Sequence, residues 1–309
     1  MTDAIDLFCG AGGFSVGFEK SGYTVLGAAD VNKDFLNTYR ENAPEVTEVV
    51  QCDLFELDPE ELQNKFGVDS VPIVFGGPPC KGFSLAGERD EDDERNQLVF
   101  EFWDHAFAYD PDVIVMENVP GILSMDVLPE VEKECNKHGY NITYKTLDAS
   151  EYGVPQSRQR VFTIGIKQDS EASFEFPTPT TPSPITVEEA IVDPDLTELD
   201  NHESTMTNHQ KSTVEDLSKL DFEESRYDNY SESWKRLHPE KPAPTIKENH
   251  GAPFVHPFED RVGTVRECAI LQSFPNEFTF VGSKSTQLKT VGNAVPPKLA
   301  KAIADSIKL

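Results

Sequence analysis

Short apolar runs alternate with amphipathic segments through the first 167 residues, and no other feature restricts the fold as much. Apolar runs separated by longer segments with helical spacing are typical of strands and crossover helices. We therefore predict the α/β class, with a doubly wound sheet. The predicted strands are residues 4–8, 24–29, 48–53, 73–75, 113–116 and 161–166, and the predicted helices are residues 14–21, 33–42, 59–66, 96–109 and 128–138.

The composition changes after Lys167. Proline, threonine, serine and acidic residues dominate from there to about Pro244, which is typical of a linker and a small, weakly patterned lobe. Residues 261–274 and 296–307 are predicted to be helical. We predict three segments: a first domain over residues 1–169, a small second domain over 170–255, and a C-terminal segment over 256–309 that returns to the first domain.

The chain is strongly acidic, with a formal net charge of -28 from 55 acidic and 27 basic residues. Such a surface opposes binding to a polyanion, because nucleic-acid affinity comes largely from lysine and arginine displacing counterions. One hypothesis reconciles the two: in a very salty, halophilic cytoplasm the Debye length falls to about 3 Å at 1 M salt, so repulsion is weak. The alternative is an ordinary acidic cytoplasmic enzyme.

Neither a leader nor a membrane span is evident, so we expect a soluble cytoplasmic protein. The cysteines are scattered and never form a Cys-x-x-Cys pair, which predicts neither a disulfide framework nor a metal site. A single functional thiol remains open. The five are Cys9, Cys52, Cys80, Cys135 and Cys268.

A glycine-rich turn, Asp6-Leu-Phe-Cys-Gly-Ala-Gly-Gly-Phe-Ser15, joins the first strand to the first helix. It is not the dinucleotide fingerprint, because Ser15 stands at the third glycine position. Asp30 and Asp53 end the next two strands, where a carboxylate can bind a ribose hydroxyl. Each could instead be a helix cap. Together the three features predict a nucleoside pocket.

Two further strand ends carry reactive groups. In Phe75-Gly-Gly-Pro-Pro-Cys-Lys-Gly-Phe-Ser84 the flanking Gly and Pro make a core position for Cys80 improbable, and Lys81 could activate its thiolate. Glu117 follows four apolar residues and should be partly desolvated, as suits a general acid; pairing with a basic side chain is the alternative. Arg158 and Arg160 would face one site in an extended chain, unless they are surface charges.

Six motifs resemble, in their order, those of the DNA cytosine-5 methyltransferases. They are the glycine-rich turn, Pro78-Pro-Cys-Lys-Gly-Phe-Ser84, Glu117-Asn-Val119, Gln156-Ser-Arg-Gln-Arg160, Thr264-Val-Arg-Glu267 with Leu271-Gln-Ser-Phe-Pro275, and Gly292-Asn-Ala-Val-Pro-Pro297. They cover nearly the whole chain except residues 170–240, and Lys81 departs from the family's usual glutamine. The resemblance implies a Rossmann-like methyltransferase sheet and S-adenosylmethionine as the cofactor. The cofactor-binding residues would be Phe8, Gly10, Gly12, Gly13, Phe14, Asp30, Asp53, Leu54, Pro78 and Asn293, and the catalytic residues Cys80, Glu117 and Arg160, with Arg158 in support.

The same resemblance implies roles for the segments and partners. Residues 1–169 would bind the cofactor and carry catalysis, and residues 170–255 would recognise the target. The expected substrate is double-stranded DNA with the target cytosine flipped out. A cognate restriction endonuclease is a further expected partner, and a monomer is the default state.

Three alternatives differ in function. An RNA (tRNA) cytosine-5 methyltransferase would use the same residues, although the Cys-Phe-Thr signature of that branch is not seen in the variable lobe. A catalytically inactive regulatory homologue is disfavoured by the joint presence of Cys80, Glu117 and Arg160. A NAD-dependent enzyme is disfavoured by Ser15 and leaves the Pro-Pro-Cys motif unexplained.

Overall fold

The computed structural model describes residues 2–79, 97–124, 127–227, 234–247 and 254–309. Cys80, Lys81 and the predicted start of the fourth helix at residue 96 lie outside these ranges. In the described ranges, no helix combines the length and the apolarity needed to cross a membrane.

The chain forms two compact units whose limits differ from the predicted ones. The first comprises Met1–Asp148, Gln159–Thr178 and Leu299–Leu309, and the second comprises Ala149–Arg158 and Pro179–Lys298. The composition change after Lys167 therefore does not mark a unit boundary. The segment 149–158 joins the second unit through backbone pairing, such as Ser157 N–H donating to Ala243 O at 2.8 Å.

A seven-stranded sheet forms the first unit, in the order β3-β2-β1-β4-β5-β7-β6. Strands β1 to β5 pair in parallel, and β7 is antiparallel to both β5 and β6. The α/β prediction is confirmed. The strands are β1 Thr2–Leu7, β2 Tyr23–Asp30, β3 Glu48–Gln51, β4 Ile73–Gly76, β5 Val113–Asn118, β6 Tyr140–Asp148 and β7 Gln159–Lys167, and a two-stranded ladder joins Ser173–Phe174 to Ile307–Lys308.

The described residues of this unit include five helices, and local signals explain where two of them begin and end. The Asn32 side chain accepts from two backbone N–H groups at the start of α2. Asp58 caps α3 just before Pro59, and Gly67 ends it in the left-handed conformation. The predicted bounds of α2 and α3 are confirmed. The five helices are α1 Gly13–Glu19, α2 Lys33–Asn42, α3 Pro59–Phe66, α4 Gln97–Ala108 and α5 Val127–Lys137, and a 3₁₀ turn covers Pro120–Ser124.

Strand β6 was not predicted. It lies at the edge of the sheet and pairs with β7 along its whole length, from Tyr140 opposite Lys167 to Asp148 opposite Gln159. Its central residues are mostly exposed, Tyr144 to 48%. An edge strand that buries little has no apolar alternation to reveal it in sequence.

The second unit consists of short elements, as its weak patterning predicts. Fully enclosed polar groups hold it together; Arg236, for example, donates to the carbonyls of Leu217, His256 and Pro257. The elements are α6 Lys211–Leu217, α7 Val265–Leu271 and α8 Lys284–Asn293, a π-helical turn Glu188–Val192, 3₁₀ turns Ala149–Tyr152 and Glu203–Thr205, and a ladder of Lys235–Arg236 with Phe254–Val255. Helix α9, Pro297–Ala304, contains the boundary at which the second unit ends, at Lys298, and the first unit resumes, at Leu299.

His256 should make the second unit sensitive to acid. Its buried ring accepts at Nδ1 from the N–H groups of Phe258 (3.3 Å) and Glu259 (3.2 Å), so the ring is neutral. Burial lowers the pKa of His256 below its ordinary value of 6.5, and Glu267 opposes this only partly. The stabilisation is complete above the ordinary pKa and is lost as pH falls through the pKa of the folded state.

We expect the free energy of unfolding, measured in urea, to fall as the pH drops from about 7.5 to about 5.5. The fall should be smaller in His256→Asn, because the amide oxygen can accept the same two N–H groups without titrating. An identical fall in the variant would show that His256 does not contribute.

Candidate active site

The predicted site residues of the first unit converge on one edge of the sheet. Strands β1, β2, β4 and β5 are parallel, so Leu7, Asp30, Gly76 and Asn118 end at the same edge. Strand β7 runs the other way and pairs Val161 with Asn118, so it begins there. Strand β1 lies between β2 and β4, which makes this edge a topological switch point, the usual place for a ligand in such sheets.

The turn after β1 is shaped by residues in the left-handed conformation. Phe8 has φ +56°, Gly10 +54° and Gly12 +89°. Phe8 is the costly one, because a residue with a side chain rarely adopts such a φ. Strain of this kind often marks a functional site.

The carboxylate of Asp30 is held in place by backbone hydrogen bonds, one of them from this turn. One carboxylate oxygen accepts from Gly10 N–H at 2.9 Å and the other from Asn32 N–H at 2.7 Å. Burial raises the pKa of Asp30, and these two bonds oppose the rise. Asn32 is the cap of α2, so Asp30 is not the helix cap that was its alternative.

A buried hydrogen-bond chain explains Ser15 at the third glycine position. Ser15 Oγ donates to Asp6 Oδ2 at 2.6 Å and lies 2.8 Å from the Tyr39 hydroxyl. Asp6 has no exposed surface, and burial raises the pKa of its carboxyl well above the ordinary range. The hydroxyl of Ser15 therefore gives one oxygen of this buried carboxyl a donor that a glycine would not provide.

Glu117 and Arg160 form an ion pair at the same edge. Arg160 Nε lies 2.8 Å from Glu117 Oε1, and the two side chains are only 13% and 12% exposed. Burial lowers the pKa of Arg160, and Glu117 opposes this. Arg160 Nη1 donates to Gln159 O at 2.7 Å, and neither of these bonds uses Nη2. The pair thus combines a partly enclosed carboxylate with a planar cation, and both predicted alternatives for Glu117 are compatible with it.

The segment leading to Cys80 lies beside this pair. An ideal Cβ on Gly77 would lie 3.2 Å from Glu117 Oε2, so a side chain at Gly77 would crowd the carboxylate. Pro78 is buried, and its carbonyl accepts from Asn118 Nδ2 at 3.2 Å. The predicted cofactor residue Pro78 is therefore tied to the strand that carries Glu117.

A family model described as C-5 cytosine-specific DNA methylase matches residues 2–309. The chain belongs to this family. It is 36% identical to the type II methyltransferase M.DdeI of Desulfomicrobium norvegicum, over 98% of this chain and 88% of that protein. M1.HphI of Haemophilus parahaemolyticus is 37% identical over 98% and 86%. A solved structure from E. coli, described as a DNA modification methyltransferase encoded within a prophage, has a TM-score of 0.84 at 29% identity, covering 99% and 98%.

The cytosine-5 methyltransferase therefore transfers a methyl group from S-adenosylmethionine to carbon 5 of cytosine in DNA. The Rossmann-like methyltransferase fold, the cofactor and the DNA substrate expected from the sequence are confirmed.

Sequence reasoning missed two apolar side chains at the cofactor edge. Val31, directly after Asp30, is 58% exposed, and Phe55, directly after Leu54, is 48% exposed. Exposed apolar groups beside a fastened carboxylate suit a nucleoside, which presents an apolar ring face and a hydroxylated sugar. The residues present therefore fit S-adenosylmethionine. The sequence did contain a signal for both residues: an apolar residue follows shortly after the aspartate at the end of each predicted strand.

Other predicted cofactor residues differ in exposure. Asp53 is exposed and accepts at Oδ1 from Phe55 N–H at 3.0 Å, whereas Asp58 caps α3, so Asp53 does not cap that helix. Leu54 is 2% exposed and Phe14 is 3% exposed, so their side chains pack in the core. Their role toward the cofactor, like that of Gly13 and the exposed Asn293, stays a prediction.

Arg158 is held by backbone carbonyls of the second unit. It donates to Ile246 O at 2.9 Å, Gly292 O at 3.0 Å and Ala294 O at 3.2 Å, the last two flanking Asn293. Strand β7 begins at Gln159, so the alternation that placed Arg158 beside Arg160 does not apply. The structure gives Arg158 a positioning role for the Gly-Asn-Ala segment, and its support of catalysis stays a prediction.

Gly12 gives a prediction for the cofactor turn. A Cβ there would lie 2.9 Å from the Tyr39 ring and would also require the strained φ of +89°. Gly12→Ala is expected to weaken S-adenosylmethionine binding about tenfold, since the turn must shift. Gly22→Ala is the matched control, because Gly22 has the same φ of +89° with nothing within 4 Å of its Cβ. Calorimetry on both variants would contradict the prediction if the two bound the cofactor equally well.

Proposed function

We propose that Cys80, Glu117 and Arg160 carry out methyl transfer to a cytosine turned out of duplex DNA. The observation that supports this most is the Glu117–Arg160 pair, 2.8 Å apart and nearly enclosed, beside the segment that leads to Cys80. A carboxyl and a guanidinium together can bind the ring nitrogen 3 and the carbonyl oxygen of cytosine.

Carbon 5 of cytosine is a weak nucleophile, and addition of a thiolate at carbon 6 activates it. The Cys80 sulfur forms a bond to carbon 6, and the electron pair of the 5,6 double bond moves toward ring nitrogen 3. Glu117 shares a proton with nitrogen 3 and so stabilises that charge. Arg160 holds the carbonyl oxygen and keeps the ring oriented.

S-adenosylmethionine supplies an electrophilic methyl group on a positively charged sulfur. Carbon 5 would take this methyl group as the methyl–sulfur bond breaks, which leaves a neutral thioether, and a base would then remove the proton from carbon 5. The bond from carbon 6 to Cys80 breaks as the 5,6 double bond forms again, which releases 5-methylcytosine. Asp30 and Asp53 would hold the ribose and base, with Val31 and Phe55 against the apolar faces, and the glycine turn would accommodate the methionine part. Phe8, Leu54, Pro78 and Asn293 would complete the cofactor pocket.

Carbon 6 is stacked inside a duplex, so the base must be extruded before Cys80 can reach it. We propose that residues 170–255, most of which belong to the second compact unit, recognise the DNA sequence around the target. Recognition by short irregular elements suits a surface that must vary with the target sequence.

The names of the relatives support a narrower role. M.DdeI and M1.HphI are type II methyltransferases, so we propose that this enzyme protects DNA from a cognate restriction endonuclease. We further propose a cytoplasmic monomer, as the default state for this role. Sequencing of methylated positions after expression in a host without cytosine methylation would give one recognition site. Methylation without any preferred site would contradict the role.

The net charge of -28 supports a halophilic enzyme, in which high salt screens both internal repulsion and repulsion from DNA. We expect the melting temperature and DNA affinity to rise between about 0.1 M and about 2 M KCl. Ordinary DNA-binding proteins lose affinity over such a range. A fall in both quantities with salt would favour an ordinary acidic enzyme.

Covalent trapping tests the proposed chemistry. With duplex DNA that contains 5-fluorocytosine, carbon 5 has no proton to lose, so the adduct with Cys80 should persist and survive denaturing electrophoresis. The adduct should require S-adenosylmethionine and be absent in Cys80→Ala. An adduct that forms equally in Cys80→Ala would exclude Cys80 as the nucleophile.

A further inference from the structure

His105 is a buried histidine that the proposed chemistry does not use. It lies on α4 with no exposed surface, and its Nε2 lies 2.9 Å from Leu54 O. A carbonyl oxygen only accepts, so Nε2 carries the proton and donates. Burial lowers the pKa of His105, which keeps the ring neutral at pH 7. The bond joins α4 to the segment after β3, 51 residues earlier in the chain.

The segment after β3, residues 52–57, has exposed residues on either side of one buried residue. Asp53 and Phe55 are exposed, whereas the Leu54 side chain between them is 2% exposed within the core. Cys52 N–H donates to Asp30 O at 3.2 Å, which ties the segment to the end of β2. Leu57 N–H donates to Asp53 O at 3.1 Å and closes the turn. Helix α4 contacts this turn at Leu54 O, through the hydrogen bond from His105.

We propose that His105 is a positioning residue of the cofactor site: by fixing the Leu54 carbonyl it holds Asp53 and Phe55 toward S-adenosylmethionine. This rests on the proposed assignment of residues 53–55 to the cofactor pocket. A side chain in the middle of an apolar helix face would serve packing best as an aliphatic residue. The N–H that His105 brings instead donates to the Leu54 carbonyl, which lies between the two exposed residues, and the ring also interacts with the Leu57 backbone of the same segment.

Three variants separate positioning from packing. His105→Leu removes the donor, and His105→Gln retains one, since its amide nitrogen reaches about as far as Nε2. Gln63→Leu is the matched control, because the Gln63 amide donates to two backbone carbonyls, Asp69 O at 2.9 Å and Ala108 O at 2.7 Å, outside the 52–57 segment. The measurements are the Kd for S-adenosylmethionine by calorimetry without DNA, the KM and kcat, and the melting temperature.

His105→Leu is expected to raise the Kd and KM for S-adenosylmethionine about tenfold, because the Leu54 carbonyl loses its donor. The kcat and the KM for DNA should stay within about twofold of wild type. His105→Gln should recover most of the affinity. Gln63→Leu should lose stability and keep the wild-type Kd.

An unchanged Kd in His105→Leu, with normal cofactor binding by wild type, would overturn the role of His105 alone. Equal losses of affinity in His105→Leu and Gln63→Leu would overturn it too, since general destabilisation would then account for both. If His105→Leu does not fold, His105→Asn replaces it, because the shorter amide cannot reach the Leu54 carbonyl; a wild-type Kd in that variant would again overturn the role. Failure of wild type to bind S-adenosylmethionine would instead overturn the cofactor assignment itself.

Discussion

Replacement of Glu117 by glutamine is expected to lower kcat for methyl transfer by about 100- to 10,000-fold, the usual contribution of a positioned acid. The amide has nearly the same shape, and its oxygen can still accept from Arg160 Nε, which lies 2.8 Å from Glu117 Oε1. It cannot share a proton with ring nitrogen 3 in the way that a carboxyl group can. The change therefore removes the chemistry and leaves the packing in place. Rapid-quench kinetics with labelled methyl donor would measure the chemical step directly.

Two controls isolate this effect. The Kd for S-adenosylmethionine should be unchanged in Glu117→Gln, because the predicted cofactor residues are other side chains. Glu130→Gln, at an exposed carboxylate on α5, should leave kcat at the wild-type value. A loss of less than about tenfold in Glu117→Gln would assign Glu117 to ion pairing with Arg160 rather than to proton transfer.

Replacement of Arg266 by methionine is expected to lower the free energy of unfolding of the second unit by about 3–5 kcal/mol. Arg266 is fully buried, and burial lowers the pKa of its guanidinium. It donates to three carbonyls: Asp200 O at 2.7 Å, Pro275 O at 3.2 Å and Phe278 O at 2.7 Å. Methionine fills much of the volume but leaves all three acceptors without these donors.

Urea unfolding followed by circular dichroism would measure this loss; Trp234 fluorescence is unsuitable as the probe, because the guanidinium of Arg226 lies 5.2 Å from the Trp234 ring. Arg226→Met is the matched control: the Arg226–Asp216 pair, at 2.9 Å, is 23% and 50% exposed, and such surface pairs contribute about 0–1 kcal/mol. If Arg266→Met cost no more than Arg226→Met, the buried arginine would not hold the unit together.

This role gives a structural reason for the Thr264-Val-Arg-Glu267 motif, which the sequence could associate only with a family. Thr264 and Glu267 form a reciprocal capping box at the start of α7. Arg261 adds an ion pair to Glu267 at 2.7 Å. Each polar residue of the motif therefore forms hydrogen bonds or an ion pair within the second unit. None of these contacts requires a ligand.

Local signals predicted the first unit well. The caps Asn32 and Asp58 and the stop at Gly67 are short-range features, so α2 and α3 begin and end where the sequence placed them. Strands β1, β4 and β5 bury nearly continuous runs, as parallel strands do. Strand β6 was not predicted, because an edge strand with exposed central residues lacks such an apolar run.

Pairing between strands that are distant in the sequence brings the other site residues together. Glu117 and Arg160 are 43 positions apart and meet because β7 inserts antiparallel between β5 and β6. No local pattern shows that insertion. Arg158 lies just before β7 and donates to backbone carbonyls of its own unit, whereas Arg160 lies within the strand and pairs with Glu117. The sequence could not reveal the role of His105, because the Leu54 carbonyl that its ring meets lies 51 residues earlier in the chain.

Transfer of labelled methyl from S-adenosylmethionine shows whether this chain methylates DNA through Cys80. Duplex DNA and tRNA would be offered to wild type and to Cys80→Ala, from low to multimolar salt. We expect label in DNA with wild type only, and none in tRNA. Label confined to tRNA would exclude DNA as the substrate, and label in DNA that persists in Cys80→Ala would exclude Cys80 as the nucleophile.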